Sequence, residues 1–383
     1  MDTSAADRQH TDIASAPWRV APVVFVPADS TGRNHRQEGV RALARRIARL
    51  RGSDCIEAPT GALPHGGYAV PTETLVGHLL AGRLGIQSEE DLFGGLVPYA
   101  VLAGKAITHD LVNADALRPE GWSPAFSDAV HGVTLRGTSV FDRRSAAQAG
   151  RALLATGPIR LKPAWADGGH CQHVFDDVGA LDAALEAMDA NELQSLGLVV
   201  EEDLHESTVY SIGRLRLGNR VFAYFGHQET TRDNCGQTAY GGSTLTVFPG
   251  DLDELLDRPM EAPVRQAVEY ARAYDHAALR HLPGLIASRR NYDIIAGLGA
   301  RGDPRLGVLE QSWRIGGASG AEIAAVEAFH ADPALACVRA SCAERYGARH
   351  EAPEDSIVYF HADDPEVGPL IKYARIEARH RAL

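Results

Sequence analysis

The spacing of apolar positions along this chain changes period repeatedly, and each change marks a switch between strand and helix. Pro22–Val26 (PVVFV) is a short continuous apolar run, as expected of a buried strand. After a loop over 27–34, Val40, Leu43, Ala44, Ile47 and Leu50 recur at helical spacing. Strand, loop and helix in that order open an α/β domain. Mixed segments continue to about Gly104. In the next stretch, Ile159–Pro163 (IRLKP) predicts a strand, Asp167–Gly169 a glycine-bearing turn, and Val174–Phe175 the start of another strand. Val178, Leu181, Leu185 and Met188 space out a helix, and Leu196–Val200 (LGLVV) reads as a buried strand running into Glu201-Glu202-Asp203-Leu204.

The pattern then turns to β signals. Thr208–Leu217 and Arg220–Phe225 flank Gly218-Asn219, which predicts a hairpin with a two-residue turn. Ser243–Phe248 is a further strand. Val264, Val268, Ala271 and Tyr274 mark a helix. Tyr292–Ala296 and Gly307–Gln311 read as two strands, and Ser319-Gly-Ala-Glu322 as a capping box ahead of Ile323, Val326 and Phe329. The end of the chain predicts a strand over Ser356–His361 and a basic helix over Ile371–Ala378. There is no internal repeat.

Composition narrows the function classes. At 383 residues the chain has room for two or three lobes. A net charge of -12 argues against a general nucleic-acid binder or a membrane-surface protein. It leaves room for a phosphate-bearing ligand held by local basic groups. The five cysteines are scattered without a CxxC pair, which suits a reducing compartment, and the cytoplasm is the expected location. Residues 1–17 are polar, lack a secretory h-region, and read as a disordered tail. No apolar run approaches the length of a membrane span.

Two motifs mislead. Gly297-Leu-Gly299-Ala-Arg-Gly302 matches the dinucleotide pattern GxGxxG, but Asp303-Pro304 and a strand follow where a helix should open, so it reads as a hairpin turn. His170-Cys171-Gln172-His173 matches no standard zinc spacing and reads as a polar loop. Gly104-Lys105 lacks the rest of a phosphate-binding P-loop.

The chemistry concentrates elsewhere. If Tyr292–Ala296 and Gly307–Gln311 are hairpin neighbours, Asp293 and Glu310 face one side, and alternation adds Ser312 and Arg314 to the face of Glu310. Hard oxygen ligands suit Mg²⁺, which binds one or two carboxylates plus substrate phosphates. An arginine beside those phosphates makes strong bidentate contacts. The bland alternative is a solvated sheet face with surface ion pairs. Lys162 with the turn Asp167-Gly168-Gly169 could hold and cover phosphates, or be a plain β-turn. Glu201-Glu202-Asp203-Leu204 could be a nucleotide-reading hinge or an ordinary strand end.

The order of these elements resembles the ATP-grasp superfamily: a phosphate lysine with a glycine turn, an acidic hinge, an Asp, then a Glu-x-Ser-x-Arg strand. The resemblance spans about Val20 to Phe329 and points to an uncharacterised bacterial branch. It implies an ATP-grasp fold, two α+β subdomains holding the nucleotide, preceded by a Rossmann-like α/β domain. The implied division is 18–104 for the preceding domain, 105–200 for the flap-bearing subdomain, 201–345 for the metal-bearing subdomain and 346–383 for a C-terminal extension. Carried over by residue, Lys162 resembles the phosphate lysine, Lys105 an earlier ATP contact, and Gly168 and Gly169 the flap. Glu201 and Leu204 look like hinge residues, and Glu202 like a ribose contact. Asp293, Glu310 and Ser312 take the places of the magnesium ligands, with Ser312 standing where Asn is usual. Arg314 resembles the family's following arginine and, with Lys162, is the catalytic pair.

The resemblance thus implies ATP and Mg²⁺ as cofactors and a small carboxylate plus an amine, or a thiol, as substrates. The implied reaction is ligation through an acyl phosphate with release of ADP and phosphate. Relatives in the superfamily are often dimers, so a homodimer is compatible with it. The alternatives are a small-molecule kinase that stops at the phosphorylated product, and a non-catalytic nucleotide-binding module. Arg33, Arg36, Arg289 and Arg290 are open as contacts to an anionic substrate, with ion pairing the competing account.

Overall fold

A computed structural model of the protein describes residues 21–28, 34–57, 66–164 and 172–381. Val23–Val26 forms the centre of a three-stranded parallel sheet, between Cys55–Glu57 and Tyr68–Pro71. The helix His35–Arg51 covers it, burying Val40, Leu43, Ala44 and Ile47 as their spacing predicts. Its N-cap is Asn34, whose side chain accepts from the Gln37 N–H, and Gly52 closes it in the left-handed conformation. A second small sheet orders Ile286–Ala287, Gly95–Val97 and Leu75–Val76. It ties this first unit to the rest of the chain.

The middle of the chain forms a four-stranded antiparallel sheet in the order Gly137–Val140, Leu198–Glu202, Ile159–Pro163 and His173–Phe175. Leu198, Val200, Ile159 and Leu161 are buried on it beneath the helices Arg143–Leu154 and Val178–Ala187, which share their own core cluster. The remaining strands build one eight-stranded sheet. Its order is Pro304–Ser312, Arg289–Leu298, His205–Leu217, Arg220–Arg232, Thr238–Pro249, Leu335–Tyr346, Gly368–Arg381 and Ile357–Asp364. One half packs on the helix Ala262–His281 through Val264, Val268, Ala271 and Tyr274, and the other on Ser319–Ala331 through Ile323, Val326 and Phe329.

Two sequence expectations fail here. Ile371–Ala378 is a strand within Gly368–Arg381, not a basic helix. Its basic residues alternate with Ile371, Ala374 and Ile376, and long-range pairing to Leu335–Tyr346 decides the conformation. The capping box at Ser319-Gly-Ala-Glu322 is also absent. Ala318 occupies the cap position with no side-chain cap, the Ser319 Oγ accepts instead from the Gly316 N–H, and Glu322 is wholly buried in an ion pair. Among the described residues, no helix is long and apolar enough to cross a membrane.

Candidate active site

The hairpin Arg289–Leu298/Pro304–Ser312 sets Asp293 directly opposite Glu310 in the antiparallel register. The turn between the strands is the glycine-rich stretch 299–302, as the sequence predicts. Immediately after this pair the register shifts by one residue, so that Ile294 faces Val308. A bulge of this kind bends the strand and re-aims its side chains. Asn291 stands opposite Ser312 and donates from Nδ2 to the Asp293 carboxylate at 2.8 Å. Burial, then repulsion by Glu310, pushes the Asp293 carboxyl up to about 6, against hydrogen bonds from Gln228 and Asn291. Two facing carboxylates are a donor set of hard oxygens. A divalent cation between them would remove the repulsion, so the residues fit a magnesium ion.

Lys105 lies in a single 3-10 turn, Lys105–Ile107, and its Nζ is 2.5 Å from the Glu310 Oε2. Gln311, on the next position of the strand, donates from Nε2 to the Gly104 carbonyl at 2.7 Å. That bond fixes the turn carrying Lys105 against the strand that carries Glu310. Lys162 ends its strand 3% exposed, and its Nζ bonds both carboxylate oxygens of Glu201 at 2.9 and 2.5 Å. Each of the two lysines predicted from sequence thus sits buried against an acidic partner, Lys105 against Glu310 and Lys162 against Glu201.

Glu201 is buried near the end of Leu198–Glu202, and its Oε2 lies 2.5 Å from the Lys162 Nζ and 3.5 Å from the His109 Nε2. Glu202 is placed differently from expectation. Its carboxylate accepts from the Arg136 backbone N–H and guanidinium and from Arg305. These bonds consume the oxygens that a ribose hydroxyl would need, and they pin the four-stranded sheet to the hairpin. Leu204 follows the strand end and is buried beside Gly297. Gly168 and Gly169 lie outside the described residues.

Burial alone would raise the Glu202 carboxyl, but the bonds from Arg136 and Arg305 overcome it and hold the group below its ordinary range. Its contribution to stability is present above the ordinary carboxylate pKa and is lost as pH falls through the depressed one. Arg305→Ala is expected to lower the urea midpoint at pH 7. The gap to the parent should narrow as the unfolding series is carried below pH 4.

Ser312 does not present a free hydroxyl. Its Oγ and carbonyl both accept from the Arg289 Nη1 at 3.2 Å. Arg289 and Arg290, open from sequence as substrate contacts, are buried and committed internally. Arg289 pairs with Glu322 at 2.7 Å, and Arg290 with Asp275 at 2.6 Å and Glu89 at 2.8 Å. The Tyr224 hydroxyl lies between two acceptors, the Glu322 Oε1 at 2.5 Å and the Asn291 Oδ1 at 2.7 Å, and its single proton is shared between them. A buried polar chain therefore runs from Glu322 through Tyr224 and Asn291 to Asp293. Sequence reading missed Asn291, Tyr224 and Glu322. The available signal was a polar residue two positions before Asp293, on its own strand face.

Arg314 lies two residues beyond Ser312. It donates from Nη1 to the Ile315 carbonyl, and its Nε lies 3.4 Å from Glu73. Together they border a cleft of about 260 Å³ that also takes in Gly104, Ala164 and Leu196. Gly95 is required beneath it. A Cβ there would come within 2.6 Å of the Trp313 carbonyl, so only glycine lets the first unit close on the strand end.

Solved structures of known proteins share the fold. Phosphoribosylamine–glycine ligase from Thermotoga maritima aligns with a TM-score of 0.54 at 12% identity, covering 94% of this chain and 99% of that one. N5-carboxyaminoimidazole synthetase from Staphylococcus aureus, complexed with ADP, aligns at 0.52 and 11% identity, covering 94% and 93%. At such identity the likeness concerns the fold, which is the ATP-grasp fold preceded by an α/β domain. No curated protein sequence matches. The sequence does match, over residues 23–374, the family described as "Protein of unknown function (DUF3182)".

Proposed function

Since this chain belongs to the family of proteins of unknown function DUF3182, whose description assigns no chemistry, we propose from its site that it is an ATP-dependent ligase. It would join a small carboxylate to an amine, or a thiol, through an acyl phosphate, and release ADP and phosphate. The observation that carries this reading is the facing pair Asp293–Glu310, with the buried Lys105 paired to Glu310 and the buried Lys162 paired to Glu201. A sheet face used only for packing has no reason to hold two carboxylates at the cost that raises Asp293. In this reading 18–104 is the preceding domain, 105–200 carries the flap, 201–345 carries the metal site, and 346–383 is a C-terminal extension whose strands Ile357–Asp364 and Gly368–Arg381 join the sheet of the latter.

Magnesium held by Asp293 and Glu310 would neutralise charge on the phosphate oxygens during transfer. Lys105 and Lys162 exchange their carboxylate partners for phosphate oxygens. Backbone groups of the segment ending at Leu204 hold the base. Arg314, at the edge of the cleft, orients the acid being activated and the acyl phosphate formed from it. The flap containing Gly168 and Gly169 keeps water from the acyl phosphate. Positioning and electrostatics of this kind supply most of the rate in phosphoryl transfer.

The deciding experiment is calorimetric titration of ATP with magnesium into the parent and into Glu310→Ala. We expect binding in the parent that requires magnesium and is at least about tenfold weaker in the variant, one lost charge-assisted contact being worth about 1.4 kcal/mol or more. A folded parent that binds no ATP would overturn the proposal.

A further inference from the structure

The buried group that the proposed chemistry leaves unused is His109. It is 4% exposed, and among the described residues its Nε2 is buried with no hydrogen bond in good geometry, 3.5 Å from the Glu201 Oε2. An orphaned ring nitrogen beside a buried carboxylate is costly and calls for an explanation. The ring is held there by a close approach: a Cβ on Gly137 would come within 2.7 Å of it, so the neighbouring strand makes room only by being glycine at that point. Glu201, in turn, is 2% exposed and bonded through both oxygens to Lys162.

This geometry sets a charge problem. If Lys162 swings to a phosphate, it leaves Glu201 ionised at a buried position. An uncompensated buried carboxylate costs several kcal/mol. We propose that His109 is the positioning residue that solves it: as Lys162 turns to the nucleotide phosphates, the His109 ring gains a proton from solvent and takes over Glu201. The net charge on the buried cluster is then unchanged, and Lys162 is released without penalty. The inference rests on the ATP-binding reading above.

Among the described residues, the surroundings leave His109 as the group able to do this. Of the strands packed against it, Gly137–Val140 carries no titratable side chain, and Leu198–Glu202 and Ile159–Pro163 present Glu201 and Lys162. Arg160 and Glu202 on those strands are committed to Asp203 and to Arg136 and Arg305. On the ring's own segment, Lys105 is paired with Glu310, Asp110 faces His131, and the Thr108 hydroxyl bonds Tyr274.

The test is the proton count of nucleotide binding. ATP with magnesium is titrated calorimetrically at pH 8 in two buffers of different ionisation enthalpy, where a free histidine is neutral. The parent is expected to take up between about half and one proton per ATP, and its affinity to fall by up to about tenfold per pH unit above 8. His109→Gln can still donate an N–H to Glu201 but has no ring to protonate. It is expected to bind ATP with no proton uptake and a flat pH dependence. ATP binding without uptake in the parent, or full uptake persisting in His109→Gln, would overturn the inference while leaving the ligase reading standing. Absence of any ATP heat would instead count against the ligase reading itself.

Discussion

Asp293→Asn is expected to make the protein more stable and inactive at once. The carboxyl is pushed up to about 6, first by burial and then by Glu310. The sign follows from linkage. The folded state binds this proton more tightly than the unfolded one, so the stabilising contribution is complete below about pH 4. It is lost as pH rises through about 6. At pH 8 the native protein carries the full cost of the ionised group, about 1–3 kcal/mol for a shift of this size. The amide removes that charge. Its oxygen still accepts from Asn291, and its N–H₂ faces Glu310 as a donor. The melting temperature at pH 8 should rise by roughly 2–4 °C per kcal/mol relieved, and the gain should vanish at pH 4. Turnover of ATP should fall by about 10²–10³-fold, the scale of losing one electrostatic contact to the transferring group. Magnesium with ATP should raise the parent's melting temperature and leave that of the variant unchanged. A variant no more stable than the parent at pH 8 would show that the site does not hold the two charges at a cost. The trade of stability for function is a common property of active sites.

Local patterns carried much of this site and long-range ones did not. The facing of Asp293 and Glu310 follows from two strands, a glycine turn and period-2 alternation, all within twenty-odd residues of chain. The lysine on Ile159–Pro163 and the acidic strand end at Glu201 were legible for the same reason. What the sequence hid is pairing across large separations. Nothing near Glu201 says that His109 lies beside it. Nothing near Glu202 says that Arg305, about a hundred residues on, occupies its carboxylate. Glu322 fits a capping box by spacing, yet Arg289 draws it into the core because a buried guanidinium must be matched. Ile371–Ala378 looks helical by its basic residues, and becomes strand because a sheet neighbour offers a full ladder. Ser312 also reads as a weak metal ligand, whereas Arg289 engages it and Asn291, directly across the hairpin, holds the adjacent carboxylate.

The second large effect is predicted for that hidden network. Arg289 and Glu322 are 2% and 0% exposed, and their bonds reach Ser312 and the Arg314 carbonyl on one side and Tyr224 on the other. Glu322→Ala leaves the guanidinium buried without its counter-charge, a change that costs about 3–5 kcal/mol. We expect a drop of that size in unfolding free energy by urea titration, and a much smaller one for Arg46→Ala, whose partner Glu327 is partly exposed. Replacing both partners with apolar residues of similar length, Arg289→Met with Glu322→Leu, removes both charges and should recover most of the stability. It should not recover magnesium-dependent ATP binding. Without Glu322 the Tyr224 hydroxyl loses the buried acceptor that anchors it beside Asn291, and without Arg289 the end of the strand carrying Glu310 is untethered at Ser312 and Arg314. A double variant that regains both stability and ATP binding would mean that the ion pair serves packing alone. Stability regained with binding still impaired would show that the pair is retained to hold Asp293 and Arg314 in place, which is a positional role that stability measurements cannot detect by themselves.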